Sequence, residues 1–388
     1  MATLRQTFSD IASAIRAKGV SGTMKPIEMA TKIGEIKTGG GSEDYGYLTF
    51  TAEEATTLTM KQNGSIVPHK LLKSTDGVNW VKWENPSTNG ISLSVGESVC
   101  IKADEDALNR TATYWYASDF YSNYNYFSST GKINCSGDIR SIVKLVAPGI
   151  YDYWLTSLFK KCSSLTSAPE LPATTLTSTC YANMFDGCTS LTQAPELPAT
   201  TLAGSCYANM FRGCISLTKA PELLPATTAS NNCYEQMFNG CTSLTQAPEL
   251  PATELWGECY KFMFWNCTSL TQAPKLPATT LATYCYSYMF NGCTSLSRIK
   301  INASSGSWGE NMFNGCTSLE LVDMTGSTGV PQLSNVNNFA NTNDTYKIVV
   351  PDSLYDTWIA ATNWASIASH IMKQTDWNTA HPDDILGQ

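Results

Sequence analysis

Apolar residues return along most of this chain on a fixed beat. A phenylalanine recurs at Phe159, Phe185, Phe211, Phe238, Phe264, Phe290 and Phe313, in steps of 26, 26, 27, 26, 26 and 23 residues. Each copy carries a Cys and a Leu behind it, as in Met184-Phe185-Asp186-Gly187-Cys188-Thr189-Ser190-Leu191, and most run on to a segment such as Ala194-Pro195-Glu196-Leu197-Pro198-Ala199. A period of about 20 to 30 residues with an internal Leu-x-x-apolar element predicts a solenoid with one coil per repeat. One coil cannot bury its own apolar side, so coils stack on a shared core. Strand starts are expected at Leu165, Leu191, Leu217, Leu244, Leu270, Leu296 and Leu319. Ile139, 26 residues before Leu165, opens with Ile142 and Leu145 a first coil from about Gly137, where Trp154 takes a cysteine's place and seals the stack. About eight coils at ~4.8 Å each make a rod ~40 Å long. Proline cannot donate to a ladder, so coils holding the Ala-Pro-Glu-Leu-Pro segment should have a short strand and an irregular exit.

The flanks follow other patterns. Over residues 1–37, Leu4, Phe8, Ile11 and Ile15 fall on one helical stripe, and Pro26 opens a second short helix through Ile27, Ala30, Ile33 and Ile36. Such a hairpin buries too little to stand alone. Its stripe is expected to anchor or oligomerise the chain, or to dock on the chain itself. Residues 38–46 are a Gly-rich linker. Residues 47–136 alternate as short strands, through Leu48, Phe50 and Ala52, Leu58 and Met60, and Leu93, Val95 and Ile101, with a turn at Asp76-Gly77, and predict a small β-sandwich. Eight aromatics between Tyr114 and Phe127 make Trp115, Tyr121 and Tyr124 a secondary aromatic patch, or else sandwich core. The solenoid is assigned 137–329. Residues 330–388 form an α/β cap: a strand at Tyr346–Pro351, a helix capped by Asp352, a second helix from Trp364 to Met372, and an extended polar tail from Asp376. The expected fold is thus β-rich and multidomain, a solenoid preceded by a sandwich and a helical hairpin and closed by a cap.

Twelve of the fourteen cysteines fall into two columns, Cys162 to Cys316 and Cys180 to Cys285, each once per coil. Cα spacing does not forbid bridges between coils. Parallel Cβ directions and the absence of an apolar export segment favour buried free thiols acting as small hydrophobes. A net charge of −8 and a pI near 5.0 argue against a phosphate-reading nucleic-acid binder, which needs a basic stripe. No apolar run reaches the ~18 residues of a membrane helix, so no membrane insertion is expected. His69, His370 and His381 stand in no metal spacing, and no nucleophile elbow or phosphate loop occurs. The reading is therefore no enzyme, no catalytic residue, no cofactor and no metal. A column of Glu170, Glu196, Glu222 and Glu249 reads as a solvated edge, with cation binding as the lesser alternative.

Binding has more to rest on. Aligned within this one chain, the Cys, Tyr, Met and Phe positions barely change, whereas the residues between them do. The large aromatics gather in two adjacent coils, Trp256, Phe262, Trp265, Tyr284 and Tyr288, and form the candidate ligand-binding patch. The alternative is contact with the sandwich or with a neighbouring subunit.

From Cys180 to Phe185, and on through Gly187-Cys188-Thr189-Ser190-Leu191, the repeat resembles the BspA-type leucine-rich repeat over about residues 137–350. It departs from that pattern in having Cys for the usual Ile and in the Ala-Pro-Glu-Leu-Pro insertion. The resemblance implies surface adhesion and recognition of a protein or glycan. Ser74-Thr75-Asp76-Gly77-Val78-Asn79-Trp80 and the stretch from Asp352 to Trp364 look like segments that accompany such repeats in gut bacteria and their phages. Phe8-Ser9-Asp10-Ile11-Ala12-Ser13-Ala14-Ile15-Arg16 is similar to N-terminal segments of phage tail and tail-fibre proteins. These likenesses imply a virion-associated receptor-binding protein, made in the host cytoplasm. It would bind a host cell-surface glycan or protein, attach to other tail or capsid proteins, and form a homo-oligomer, with a trimer favoured. The alternatives are a bacterial cell-surface adhesin and a virion decoration protein with no ligand.

Overall fold

Strict alternation builds the first strands. In β1 (Leu48–Ala52) Leu48, Phe50 and Ala52 are buried and the threonines between them are not. It is followed by β2 (Thr56–Asn63), β3 (Leu71–Ser74), β4 (Val81–Lys82), β5 (Ile91–Leu93), β6 (Ser98–Ala103), β7 (Tyr124–Ser129) and β8 (Ile133–Ser136). The structure, a computed structural model, describes residues 46–63, 71–104, 124–142, 152 and 155–387. Leu4, Phe8, Ile11 and Ile15, with the expected helical hairpin, and Trp115, Tyr121, Leu145 and Trp154 lie outside the described residues; Tyr124 enters through its backbone alone. The strands form two sheets, β5-β2-β7 and β4-β3-β6-β1-β8-β9, where β9 (Leu165–Ser167) already belongs to the repeats. Leu48 and Phe50 of the larger sheet share a core with Leu58, Met60 and Phe127 of the smaller. Val95, expected within an alternating strand, is instead 68% exposed between β5 and β6.

The sandwich strands pair antiparallel, but β8 pairs parallel with β9, placing Ile133 beside Leu165. Ile133, 32 residues before Leu165, therefore holds the strand-start position that the sequence assigns to Ile139. Ile139 is buried in a 3-10 helix (Ile139–Ile142). The six-residue difference has a local cause. Gly137, at φ +95°, turns the chain out of β8, and Asp138 then accepts from the Arg140 backbone N–H and guanidinium at 2.9 and 3.0 Å.

Within the repeats the backbone follows one rule. N–H groups of Cys180, Ala182, Met184, Asp186 and Cys188 donate three residues back in their own coil. Those of Thr179, Tyr181, Asn183, Phe185 and Gly187 donate to carbonyls of the next coil, at 2.7–3.0 Å. Consecutive i to i+3 turns would wind into a 3-10 helix. A left-handed residue every fourth position, Thr179, Asn183 and Gly187 at φ +60°, +55° and +77°, reverses the winding and aims alternate N–H groups along the stack. The same columns recur at Ser205, Asn209 and Gly213 and at Asn232, Gln236 and Gly240.

This ladder sets equivalent side chains directly above one another. Ring centroids from Phe159 to Phe339 follow at 5.4–5.9 Å, nearly parallel in the central coils. The stack runs on through Phe127 to Phe50 at one end and through Tyr346 to His370 at the other. A parallel file of Tyr181, Tyr207, Tyr234, Tyr260 and Tyr286 lies beside it, with centroids 5.5–6.1 Å apart. All fourteen cysteines are free and buried. Six of them do more than fill space: the thiols of Cys188, Cys214, Cys241, Cys267, Cys293 and Cys316 each donate to the carbonyl of the phenylalanine one coil earlier, at 3.0–3.2 Å.

The opposite side of the coils is nearly strandless through the proline-bearing repeats. It carries β10 (Thr228–Ala229), β11 (Glu254–Leu255) and single bridges such as Gln193 to Lys219. Where the insertion is missing, a true ladder forms from β12 (Arg298–Lys300), β13 (Leu321–Asp323), β14 (Lys347–Val350) and β15 (Ile371–Lys373), all parallel. That ladder runs past residue 329, where the sequence pattern ends, because β14 and β15 keep the inter-coil bonding after the Phe-Cys-Leu letters are gone. Helix α1 (Tyr355–Ala360) and a 3-10 helix (Trp364–His370) replace the turn stack, and Trp308, Trp358 and Trp364 plug the end edge to face. Asp352 does not cap its own helix: it accepts from the Thr375 N–H and hydroxyl, at 3.1 and 2.6 Å. Nor is the tail extended. Helix α2 (Gln374–Ala380) buries Trp377 against Leu321, Val349 and Leu386.

Burial pushes the column thiols up, to about 12 for Cys180, Cys285 and Cys316, against an ordinary value of about 8.5. Below that ordinary value folded and unfolded chains hold these protons equally. Above it the unfolded chain releases them and the folded chain does not, so stability should fall as pH rises from about 8.5 towards 12. Thermal unfolding across that range checks the trend. Iodoacetamide should leave the native thiols unmodified at neutral pH and alkylate all fourteen once the chain is unfolded.

Candidate functional site

The left-handed turns do more than link coils: they lay out a regular outer face. Four positions per coil line it, namely the two left-handed residues before the Gly column and those three after each. They are buried at Thr179, Ala182, Asn183 and Asp186 and mostly half-buried or exposed in the coils of Asn232, Glu258 and Tyr284. Contacts tie these columns together. Asn232 donates to Glu235 and Glu258 at 2.9 and 3.4 Å, Lys261 reaches Glu258 at 2.7 Å, and Asn239 donates to Gln236 at 3.2 Å. Nearer the sandwich, Asp186 is held between Lys160 at 3.4 Å and Arg212, which donates to both its oxygens at 3.0 and 2.9 Å. The face is thus polar and cross-linked from coil to coil.

Of the five aromatics picked out by the sequence, Phe262, Trp265, Tyr284 and Tyr288 occupy these positions, and Trp256 lies two residues before the left-handed Glu258. Phe262 stacks on Tyr288 with centroids 4.7 Å apart and meets Trp265 at 5.1 Å. All three are half-buried, and Lys261 Nζ lies 5.6 Å from the Phe262 ring. Trp256 and Tyr284 are 56% and 47% exposed and, among the described residues, make no ring contact with that cluster. One feature escapes a reading by letters: Phe262 and Tyr288 both have φ +58°, in a column that elsewhere carries Asn183, Asn209, Gln236 and Asn311. Asn tolerates that conformation, whereas a bulky aromatic there is an outlier. The recurring Gly and Asn columns are the signal from which it could be inferred.

The remaining surfaces are less differentiated. Thr192, Gln193, Thr218, Lys219, Thr245, Gln246, Thr271 and Gln272 make an exposed, monotonous edge, with Thr218 and Thr271 hydroxyls donating to the preceding coil's carbonyl. Glu170, Glu196, Glu222 and Glu249 are exposed, and Lys275 follows them in the column. Among the described residues no three His, Cys, Asp or Glu side chains converge as a metal group. His370 stacks on Tyr346 at 4.0 Å and His381 on Trp377 at 3.8 Å, and both bond a backbone carbonyl through Nδ1.

The repeats over residues 153–271 and 258–357 match the profile of the BspA type leucine-rich repeat region in six copies, across just over half of the chain. The protein belongs to this family. Within these BspA-type repeats, then, the Phe, Cys and Leu columns recur from coil to coil, and the turn-face letters vary. A leucine-rich repeat protein of Bacteroides ovatus, known from a crystal structure, aligns at 14% identity over 63% of this chain and 96% of its own, with a TM-score of 0.20. No curated protein matches the chain.

The two tryptophans should respond differently to truncation. Trp256→Ala removes an exposed ring and should keep stability within about 0.5 kcal/mol of the parent. Trp265→Ala breaks a ring contact and should cost about 1 kcal/mol. Denaturant midpoints of the two variants check this.

Proposed function

We propose that the protein is a surface adhesin, a non-enzymatic binding protein that holds a cell-surface glycan or protein on the turn face of its BspA-type repeats. The observation that carries this reading is the Phe262–Trp265–Tyr288 cluster, with Trp256 and Tyr284 exposed in the same two coils, beside a face of mostly polar and charged side chains. Clustered aromatics that are rigid and only partly covered give contact area at little entropic cost. The tail-fibre expectation leans on the segment Phe8 to Arg16, outside the described residues; the surface-adhesin alternative needs the repeat family alone, and it is the reading adopted. Self-association through Leu4, Phe8, Ile11 and Ile15 is part of the same proposal, since several weak sites on one particle or cell gain avidity.

Binding of labelled full-length chain to a panel of bacterial and epithelial cells tests it. Trp256→Ala combined with Trp265→Ala should lower binding to the responsive cells by about tenfold or more, as expected for hot-spot rings. Unchanged binding by the double variant contradicts the placement of the site.

A further inference from the structure

The surroundings of the aromatic cluster go further than a contact patch, granted the turn-face reading above. Along the solenoid the rings are bracketed by amides in their own columns. Gln236 and Asn239 stand one coil earlier; one coil on from Phe262 and Trp265 stands Asn291, whose Nδ2 donates to the Asn311 carbonyl at 3.4 Å. Each primary amide offers two donors and an acceptor with two lone pairs, more than these contacts use. Beside the rings runs the chain of contacts from Glu235 through Asn232 and Glu258 to Lys261. Flat ring faces fixed by stacking, with amide and carboxylate groups already ordered around them, suit a ligand that is apolar on its C–H faces and hydroxylated at its rim.

The charge selects among such ligands. Glu258 lies on the coil of Phe262 and Trp265, Glu235 on the coil before it, and the Tyr288 N–H donates to the Glu310 carbonyl at 2.7 Å, which puts a third carboxylate residue on the coil after Tyr288. The one cation among them, Lys261, is already paired with Glu258 at 2.7 Å. An anionic sugar would enter against that field and against the chain's net charge of −8. The left-handed aromatics supply a second argument. Asn would serve the backbone better at 262 and 288, as it does at 183, 209 and 311. Strain held at two adjacent coils, where the rings meet each other, marks a site at which the side chain matters more than the backbone preference.

We propose that Phe262, Trp265 and Tyr288 form the stacking platform of a saccharide site specific for neutral sugars. The test uses the full-length chain on surfaces bearing neutral, sialylated or sulfated mucin O-glycans. The wild type should bind the neutral fraction at least tenfold better than the charged ones. Phe262→Asn, the residue its backbone favours, should lose that binding by tenfold or more while its Tm stays within about 2 °C of the parent; Trp265→Ala provides a second loss. Equal or better binding of charged glycans overturns the proposal, and so does a Phe262→Asn variant that unfolds early, because the ring is then structural. If no glycan fraction binds but cell binding persists after periodate treatment and falls in the variants, the ligand is protein: the sugar proposal fails and the adhesion reading stands. If the wild type binds neither glycans nor cells, both fail.

Discussion

One constraint governs the repeats: every backbone N–H must find a carbonyl, and alternate ones find it in the next coil. Thr179, Tyr181, Asn183, Phe185 and Gly187 donate forward, while the residues between them close their own turns. That division needs a left-handed residue every fourth position, which is why Gly and Asn recur where they do. It also fixes the vertical register, so that phenylalanine lies on phenylalanine and the six thiols from Cys188 to Cys316 in that column reach the phenylalanine carbonyl of the coil before. The apolar core is the consequence of this ladder as much as its support.

A ladder that donates forward leaves each end with unmet groups, and the two ends are closed differently. At the sandwich end, Phe127 and Ile133 donate to Leu158 and Ser164 at 2.8 and 3.0 Å, so β7 and β8 act as the coil that would precede. Phe127 extends the ring stack in the same stroke. At the other end Asn338 accepts from Met312 through its side chain and from Phe313 through its carbonyl, at 2.8 and 2.9 Å. The parallel strands β14 and β15 then carry the ladder out under a plug of tryptophans. Sandwich, repeats and C-terminal strands therefore share one continuous bonding scheme within residues 46–388.

Much of this was legible in the letters, because a residue repeated once per coil has to be frame. The buried Cys, Tyr, Met, Phe and Leu columns follow from period alone, and the broken strand side follows from Pro195 and its equivalents. What escaped was conformational. The first coil's register went to Ile133 and not Ile139 because a turn at Gly137, with no side chain to announce it, inserts six residues. Asp352 looked like a helix cap and serves Thr375 instead, a partner 23 residues away that no local pattern reveals. Trp377 was hidden in a polar tail because its apolar neighbours, Leu321 and Val349, come from other coils. In the candidate site the aromatics were visible, but their left-handed backbone was not, nor were the Asp186–Arg212 and Glu258–Lys261 pairs that tie the face together.

The division between constant frame and variable face is the centre of the account, since it places binding on the residues that the ladder leaves free. Oxidative footprinting of the full-length chain, free and bound to a cell surface to which it adheres, addresses it most directly. Trp256, Trp265 and Tyr284 should lose most of their oxidation on binding while Trp80, in the sandwich, is oxidised as before. Rings that stay as reactive as in the free chain, with protection falling on the Thr192 to Gln272 edge or on the sandwich, would contradict it.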